Sequence, residues 1–337
     1  MRASVAQFVD SLDLQAKPFF GVVRTLRDAK PKCAVLENVA GLEFRYVHDD
    51  GEKITCLEYI LRTLRRECPE YLFCVIPPSL TCPTASGYKV RRPREYILVA
   101  SKRYYRDYVD DVAFGSEAGR IFTTLVTSVA GTMSSASGPV LHSAGVPAPP
   151  RHPMAFCKCS FGKPCKEHPC PSQCKCRGDA SRSRKCVWRQ NHKKAWAKLP
   201  PAMQHYSYFE DLYATYGIDA EMSVSSPRER DLLNLRVAEH GGVSQCKDAV
   251  LDISQSYGWD QWRVDGCVPT LATGSAIYAI GAGTRLTPQV LFALMGFPAT
   301  HQYQDFAPHK VATLLGNTMH VSIVGFAVAT LLAMRSA

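Results

Sequence analysis

The sequence lacks the segments that would send a chain into or across a membrane. Residues 1–15 have neither the basic start nor the apolar core of a secretory signal peptide. The longest mainly apolar run, Val321–Met334, is shorter than the roughly 20 residues that a spanning helix needs. We therefore expect a chain that is not secreted and has no membrane span, and we predict that this run forms a buried helix.

Net charge is also scarce over most of the chain. The sequence has 40 Lys and Arg against 30 Asp and Glu. Residues 151–198 hold thirteen of the basic and only two of the acidic residues, so the remainder is almost neutral. A basic excess confined to one segment predicts contact with a polyanion such as the nucleic-acid backbone.

Cysteine is concentrated in that same segment. The chain has 14 cysteines, and half of them lie close together. These seven are Cys157, Cys159, Cys165, Cys170, Cys174, Cys176 and Cys186. Without an export signal, such a cluster indicates metal binding rather than disulfides. Tetrahedral zinc takes four ligands, so seven thiolates and one histidine would hold two ions, as would a cluster with shared thiolates. His168 and His192 are each either such a ligand or a histidine of an exposed basic loop.

The apolar pattern before and after the basic segment predicts an α/β fold. Residues 33–36 and 71–76 are short apolar runs typical of buried strands, and 96–100 is a third. Between the first two, residues 56–67 have the i, i+3, i+4, i+7 spacing of a helix. This strand–helix–strand order favours an α/β sheet, and the first strand ends in polar residues, where such sheets bind ligands.

Three segments resemble the DNA (cytosine-5)-methyltransferase family. Residues 30–42, with Leu36-Glu37-Asn38-Val39, resemble its Glu-Asn-Val motif and the preceding strand. Residues 87–99 resemble its Gln-x-Arg-x-Arg motif, with Val90 where the family has glutamine. Residues 285–298 and 315–318 resemble its C-terminal motifs. The match spans about two-thirds of the chain, and the middle is too divergent to align.

The resemblance implies a site and a fold. Glu37 would be the acid that protonates the target cytosine, and Arg92 and Arg94 would hold the flipped base. Gly316 and Asn317 would lie beside S-adenosylmethionine. The fold implied is a partial class I, Rossmann-like methyltransferase sheet with an inserted, zinc-containing recognition region.

The resemblance and the composition together predict five regions. Residues 1–114 form a partial catalytic domain and 115–153 a flexible connector, because the Ser, Gly, Ala and Pro content rises from about residue 129. Residues 154–198 form the basic zinc module and 199–283 resemble a target-recognition region. Residues 284–337 return to the catalytic domain.

The family's nucleophile, a cysteine in a Pro-Cys loop, has no counterpart where it should fall. The first sixteen residues contain no cysteine, and both Pro-Cys pairs, at Cys165 and Cys170, lie in the cysteine cluster. We expect that the chain does not methylate DNA alone. A truncated gene, which we favour, a split enzyme completed by a second polypeptide, and a degenerate enzyme that only binds DNA all explain this.

A different class of function fits the same sequence. The chain would then be a non-catalytic DNA-binding or scaffold protein that uses the basic zinc module. A tRNA substrate is a further alternative, since one branch of the family acts on tRNA. A DNA partner predicts a nuclear protein in a eukaryote and a cytoplasmic one otherwise.

Overall fold

The computed structural model describes residues 17–43, 45–47, 53–136, 187–220, 224, 226–259, 262–298, 300 and 308–335. The chain divides into two compact units. Unit 1 consists of Met1–Ser137 and Met319–Ala337, and unit 2 of Gly138–Thr318. The architecture is α/β, as the sequence predicts, and every strand pairing in the described residues is antiparallel.

The strands and helices are numbered along the chain. The strands are β1 (Cys33–Val39), β2 (Arg45–Val47), β3 (Lys53–Thr55), β4 (Tyr71–Ile76), β5 (Arg94–Ser101), β6 (Val250–Asp252), β7 (Trp262–Arg263), β8 (Ile277–Ala279) and β9 (Thr284–Arg285). The helices are α1 (Lys17–Ala29), α2 (Cys56–Glu67), α3 (Pro78–Thr81), α4 (Asp111–Ala136), α5 (Val187–Trp196), α6 (Tyr208–Tyr216), α7 (Pro227–Glu239), α8 (Pro288–Leu294), α9 (Pro308–Asn317) and α10 (Val321–Ala333).

Unit 1 is built on a three-stranded sheet in the order β1-β5-β4. Both outer strands run antiparallel to β5, so β1 and β4 run parallel to each other and are linked through α2. The predicted helix over residues 56–67 is confirmed with these bounds. Its start is fixed by a capping box, in which the Thr55 hydroxyl accepts from the Glu58 N–H and the Glu58 carboxylate accepts from the Thr55 N–H.

Helices cover both faces of this sheet. Tyr96 and Leu98 of β5 face a core shared with α4 and α10, whereas Ile97 and Val99 face a core shared with α1 and α2. The strands are therefore apolar on both sides, which explains why their sequences read as continuous apolar runs. A small hairpin of β2 and β3 stands apart from this sheet.

Helix α4 occupies much of the predicted connector. The prediction of a flexible connector over 115–153 is wrong as far as residue 136, and the remainder lies outside the described residues. Phe114, Ala118, Phe122 and Val126 recur every four residues and are buried in the core of unit 1. This helical spacing outweighs the small and polar residues whose abundance had indicated a linker.

Unit 2 contains an antiparallel sheet in the order β7-β6-β8-β9. Its core joins α6 and α7 to β6 and β8, with Tyr208 and Tyr278 fully buried. Helix α8 begins at Pro288 and is capped by Thr287, whose hydroxyl accepts from the Val290 N–H.

The chain returns to unit 1 later than the sequence indicates. The return was expected at residue 284, but residues 284–318 belong to unit 2 and the return begins at Met319. One reason is that Gly316 in α9 packs closely against another backbone segment of unit 2. A Cβ atom there would lie 2.3 Å from the Thr273 nitrogen, so the two backbones of unit 2 are in close contact.

The predicted buried helix near the C-terminus is α10, but it is buried on one side only. Ile323, Ala327 and Leu331 lie in the core, whereas Val328 and Leu332 are exposed. The stretch Thr313–Ala333 has the length and hydropathy of a membrane span, with 33% of it buried in the protein. Core helices meet the same criterion, so this finding assigns no membrane.

Candidate functional site

The polar end of the unit 1 sheet, where β1 ends and β5 begins, brings two of the resembling motifs together. Arg94 Nε lies 2.8 Å from Glu37 Oε1. The side chains are only 14% and 18% exposed, so the pair is shielded from water. Residues 37 and 96 are cross-strand partners, which places Glu37 and Arg94 on the same face of the sheet. The structure thus joins the predicted acid to one of the predicted arginines.

The start of β5 is held in place from two sides. Arg94 Nη1 donates to the Pro93 carbonyl at 2.8 Å, which fixes the guanidinium over its own backbone. The Thr81 hydroxyl, at the end of α3, donates to the Arg94 carbonyl. Because α3 directly follows β4, the neighbouring strand fixes the position from which the arginine reaches Glu37.

Arg92 is a second buried cation close to this pair. Arg92 is only 4% exposed. Burial, and secondly the charge of Arg94, lowers its pKa to about 10. Glu37 and Tyr96 oppose that decrease. Arg92 therefore stays protonated at neutral pH and contributes a fixed positive charge near Glu37.

Glu95 lies on the opposite face of β5 and was not singled out from the sequence. The residue is fully buried, and neither carboxylate oxygen has a hydrogen-bond partner among the described residues. Burial, and then the charge of Glu43, raises its pKa to about 7. The sequence did contain a signal for this burial, because Glu95 lies between Arg94 and Tyr96 in the strand. Side chains alternate between the two faces of a strand, so Glu95 points to the other, apolar face.

The loop that carries the arginines is attached to α10. Tyr88 Oη lies 2.5 Å from Ser322 Oγ, and the Tyr88 ring packs edge-on against buried His320, with 4.4 Å between ring centroids. At the far end of α10, Tyr105 Oη donates to the Leu331 carbonyl. Helix α10 therefore runs antiparallel to β1, and its first turn lies at the same end of the sheet as Glu37. No local pattern in the sequence revealed this attachment.

The predicted cofactor residues belong to the second unit. Gly316 and Asn317 end α9 and belong to unit 2, whereas Glu37 and the arginines belong to unit 1. Close backbone packing against Thr273 accounts for the glycine without a ligand, and Asn317 is exposed. The role of Gly316 and Asn317 beside S-adenosylmethionine stays a prediction.

The seven cysteines of the predicted zinc module, and His168, lie outside the described residues. His192 is described and is not a histidine of an exposed basic loop, while its role as a zinc ligand stays a prediction. It lies in α5 and is 1% exposed, and its Nδ1 is 2.5 Å from Asp231 Oδ2. The other carboxylate oxygen of Asp231, Oδ1, accepts from the Trp196 indole N–H. Over the described part of the chain, no group of three or more His, Cys, Asp or Glu is placed to hold a metal.

Three described thiols of unit 1 have pKa values raised by burial. Burial raises the pKa of Cys56 and Cys68, and raises that of Cys74 to about 11. A reactive thiolate needs the opposite shift. These three thiols are therefore not activated as nucleophiles.

Comparison with models of known protein families gives no match. Comparison with curated protein sequences gives none either. The resemblance to cytosine-5 methyltransferases therefore rests on the motifs quoted above, and the contact between Glu37 and Arg94 is the geometry that bears on it.

Proposed function

We propose that unit 1 is the base-binding part of a DNA (cytosine-5)-methyltransferase. Glu37 would protonate N3 of a flipped cytosine, and Arg94, assisted by Arg92, would hold the carboxylate and the base. The observation that carries the proposal is the shielded contact of 2.8 Å between Glu37 and Arg94. The two residues match separate motifs of the family, and the fold brings them to one end of the sheet.

The chemistry explains why these groups belong together. Cytosine accepts a nucleophile at C6 only if negative charge on the ring is relieved, and a proton delivered to N3 relieves it. A base removed from its stack is read along its Watson–Crick edge, so a carboxyl group and directed guanidinium donors are suitable partners. Arg94 keeps the carboxyl group in one orientation, which lowers the entropic cost of using it.

The sheet is compatible with the Rossmann-like fold implied by the resemblance. Two parallel strands, joined through a helix and covered on both faces, are the elements of such folds, and mixed sheets with an antiparallel strand are common among them. By the resemblance, Gly316 and Asn317 would lie beside S-adenosylmethionine, the methyl donor of the family.

The DNA partner is supported by charge. The thirteen basic residues within 151–198 would neutralise backbone phosphates, with zinc organising the segment through its cysteines. A second polypeptide carrying the nucleophile and the cofactor site would complete the enzyme. A non-catalytic DNA-binding protein is the second candidate, favoured by the raised pKa of Cys56, Cys68 and Cys74, because none of these three thiols is activated.

A binding assay tests the base-reading role without requiring methyl transfer. Fluorescence anisotropy would compare duplexes that carry one unpaired cytosine or one unpaired thymine. The Glu37 carboxylate can accept from the N4 amino group of cytosine, whereas thymine carries the acceptor O4 at that position. We expect about tenfold tighter binding of the cytosine duplex. The preference should disappear in Glu37→Ala and persist in Glu117→Ala, whose carboxylate forms a surface pair with Arg120.

Two results would decide between the candidates. Equal binding of both duplexes by the unmodified protein would contradict the base-reading role and favour the non-catalytic DNA-binding protein. Methyl transfer, measured beside it with tritiated S-adenosylmethionine, is expected to be absent for this chain alone. It should appear when the polypeptide encoded immediately upstream is included, if that polypeptide carries the Pro-Cys loop.

A further inference from the structure

The end of the unit 1 sheet opposite Glu37 collects basic residues. Strands β1 and β4 begin there and β5 ends there, and the bond from Tyr105 to Leu331 brings the end of α10 to the same place. The segments that adjoin these ends hold six basic and two acidic residues, so positive charge prevails. They are Lys30, Lys32, Lys102, Arg103, Arg106 and Arg335 against Glu70 and Asp107.

Three of these cations surround one aromatic ring. Lys32 Nζ lies 5.0 Å from the centroid of the Tyr104 ring, and the guanidinium carbons of Arg103 and Arg335 lie 5.5 and 5.7 Å from it. These distances are within the range of cation–π attraction. The four residues, here called the Tyr104 patch, come from the segments before β1, after β5 and after α10. Only the folded unit brings them together.

The charges of the Tyr104 patch are not neutralised by carboxylates of the described part of the chain. No carboxylate there forms an ion pair with Lys32, Arg103 or Arg335, and all three residues are exposed. Because the three distances share one centroid, no two of the charged groups are more than about 11 Å apart. That is close to the screening length of physiological salt, so the cations repel one another and attract a polyanion.

The neighbouring backbone fixes the positions of the patch. The Tyr104 N–H donates to the Ser101 carbonyl at 2.9 Å, and the ring packs against the core shared by α4 and α10. The Arg106 Nε donates to the Arg103 carbonyl at 2.9 Å, which closes the loop after β5. The cations therefore project from ordered segments. A fixed set of cations suits a ligand whose anionic groups are also fixed relative to one another.

We propose that the Tyr104 patch binds the phosphate backbone of duplex DNA. The two guanidinium groups can each take a phosphate through paired N–H donors, and the lysine adds a point charge. The tyrosine hydroxyl is a further donor of the kind that contacts phosphates. Such contacts hold the duplex and fix its orientation, and they read no sequence.

The patch lies far from the proposed base-binding residues. Strand β1 has seven residues and separates the two ends by about 23 Å. Phosphates recur along the whole duplex, so a backbone contact is possible at this distance from the target base. The inference rests on the proposed function only for the identity of the polyanion, because it uses neither Glu37 nor the basic segment 151–198.

A duplex fits the patch better than an anionic membrane does. Membrane surfaces attract basic segments through the summed charge of mobile lipids, for which the arrangement of the cations is unimportant. Here three cations from distant parts of the sequence are held around a single ring. Two of the three are arginines, the residue whose planar donors match a phosphate.

The salt dependence of binding by the full chain tests the proposal. Anisotropy titrations between 50 and 200 mM salt would use the duplexes with an unpaired cytosine or thymine. The triple substitution Lys32→Gln, Arg103→Gln and Arg335→Gln should reduce the slope of log affinity against log salt by about 3, and weaken binding at 50 mM salt about tenfold or more. The matched control changes three exposed arginines of the same unit, Arg24→Gln, Arg66→Gln and Arg120→Gln, and should alter the slope by less than about 1.

The same titrations separate this proposal from the base-reading role. The triple variant should bind both duplexes more weakly by the same factor, so the preference for cytosine is retained. A reduced slope without any preference in the unmodified protein would refute base reading and leave the patch standing. An unchanged slope in the triple variant, or an equal reduction in the control, would overturn the patch. Thermal unfolding verifies that both variants are folded.

Chemical protection tests the location in the unmodified protein. Lys32 should react about fivefold more slowly with an acetylating reagent when the duplex is bound, as measured by mass spectrometry of peptides. Lys53, exposed in β3 of the same unit, should react at the same rate with and without the duplex. No protection of Lys32 would contradict the proposal. Binding to phosphatidylserine vesicles that the triple substitution abolishes, with duplex binding unchanged, would assign the patch to a membrane instead.

Discussion

Arg94 Nε lies 2.8 Å from Glu37 Oε1, so a strand start and a strand end distant in sequence share one shielded ion pair. The contact depends on β1 and β5 being antiparallel neighbours, with residue 37 opposite residue 96. Three of the predicted site residues, Glu37, Arg92 and Arg94, are thereby gathered at one end of the sheet. The remaining predicted site residues lie in the other unit or outside the described residues.

Arg94 should matter through the geometry of its guanidinium as well as its charge. Arg94→Lys keeps the charge but loses the planar guanidinium group, which contacts Glu37 and, in the proposed function, would also hold the base. We expect the binding preference for an unpaired cytosine to fall about tenfold in Arg94→Lys and to vanish in Arg94→Ala. Anisotropy titrations measure both. Arg120→Ala, which removes an exposed arginine of the same unit, is the control, and an equal loss there would contradict the assignment.

Glu95 should make the stability of unit 1 depend on pH. Its pKa is raised to about 7 in the folded chain from 4.5, so the folded state holds the proton more tightly than the unfolded state. The free energy of unfolding should therefore decrease as the pH rises from about 4.5 to 7, and stay low above that. Glu95→Gln should remove this decrease and stabilise the protein at pH 8 by up to about 3 kcal/mol.

Urea unfolding from pH 5 to 8.5 measures this effect. The control is Glu117→Gln, which changes an exposed carboxylate whose pKa is lowered by Arg120 and should not remove the decrease. If Glu95→Gln and the unmodified protein had parallel pH profiles, Glu95 would not carry the proton.

Gly316 should be required for packing within unit 2. A Cβ atom at this position would overlap the backbone at Ala272 and Thr273, so Gly316→Ala forces the two segments apart. We expect destabilisation of about 1–3 kcal/mol, as is usual when a packed interior is overfilled. Gly119→Ala, in α4, meets nothing within 4 Å and should instead be neutral or stabilise the helix. Denaturant midpoints compare the two, and equal effects would argue against a packing role.

The cysteine-rich segment should carry zinc. Seven thiolates and one histidine suffice for two ions, so native mass spectrometry should find one to two zinc ions per chain. Removing them with a chelator should weaken duplex binding and flatten its dependence on salt, because the basic residues lose their fixed arrangement. Less than one zinc per chain in the freshly purified protein would refute the prediction.

Local signals were sufficient for some elements and insufficient for others. Helix α2 follows from its apolar spacing, and its capping box at Thr55 is a purely local device. Helix α4 was missed because composition was given more weight than the fourfold spacing of Phe114, Ala118 and Phe122. The pairing of Glu37 with Arg94 needs the strand order, which no spacing in the sequence specifies.

Tertiary packing decides features that no local pattern in the sequence reveals. The resemblance implies a cofactor turn at Gly316, whereas its close contact with Thr273 involves a segment more than forty residues earlier. His192 sits among basic residues in the sequence, and only the fold shows that Asp231 accepts it in a buried position.

The late return of the chain at Met319 affects the order in which the protein folds during synthesis. Helix α10 covers β1 and β5 and packs against α4, yet it is translated after the whole of unit 2. A ribosome that has released residues 17–136 has exposed a sheet with one face incompletely covered. Unit 2, which is contiguous in the sequence, can fold before α10 covers that face. Unit 1 can therefore complete its core only after unit 2 has been synthesised, because α10 follows unit 2 in the sequence.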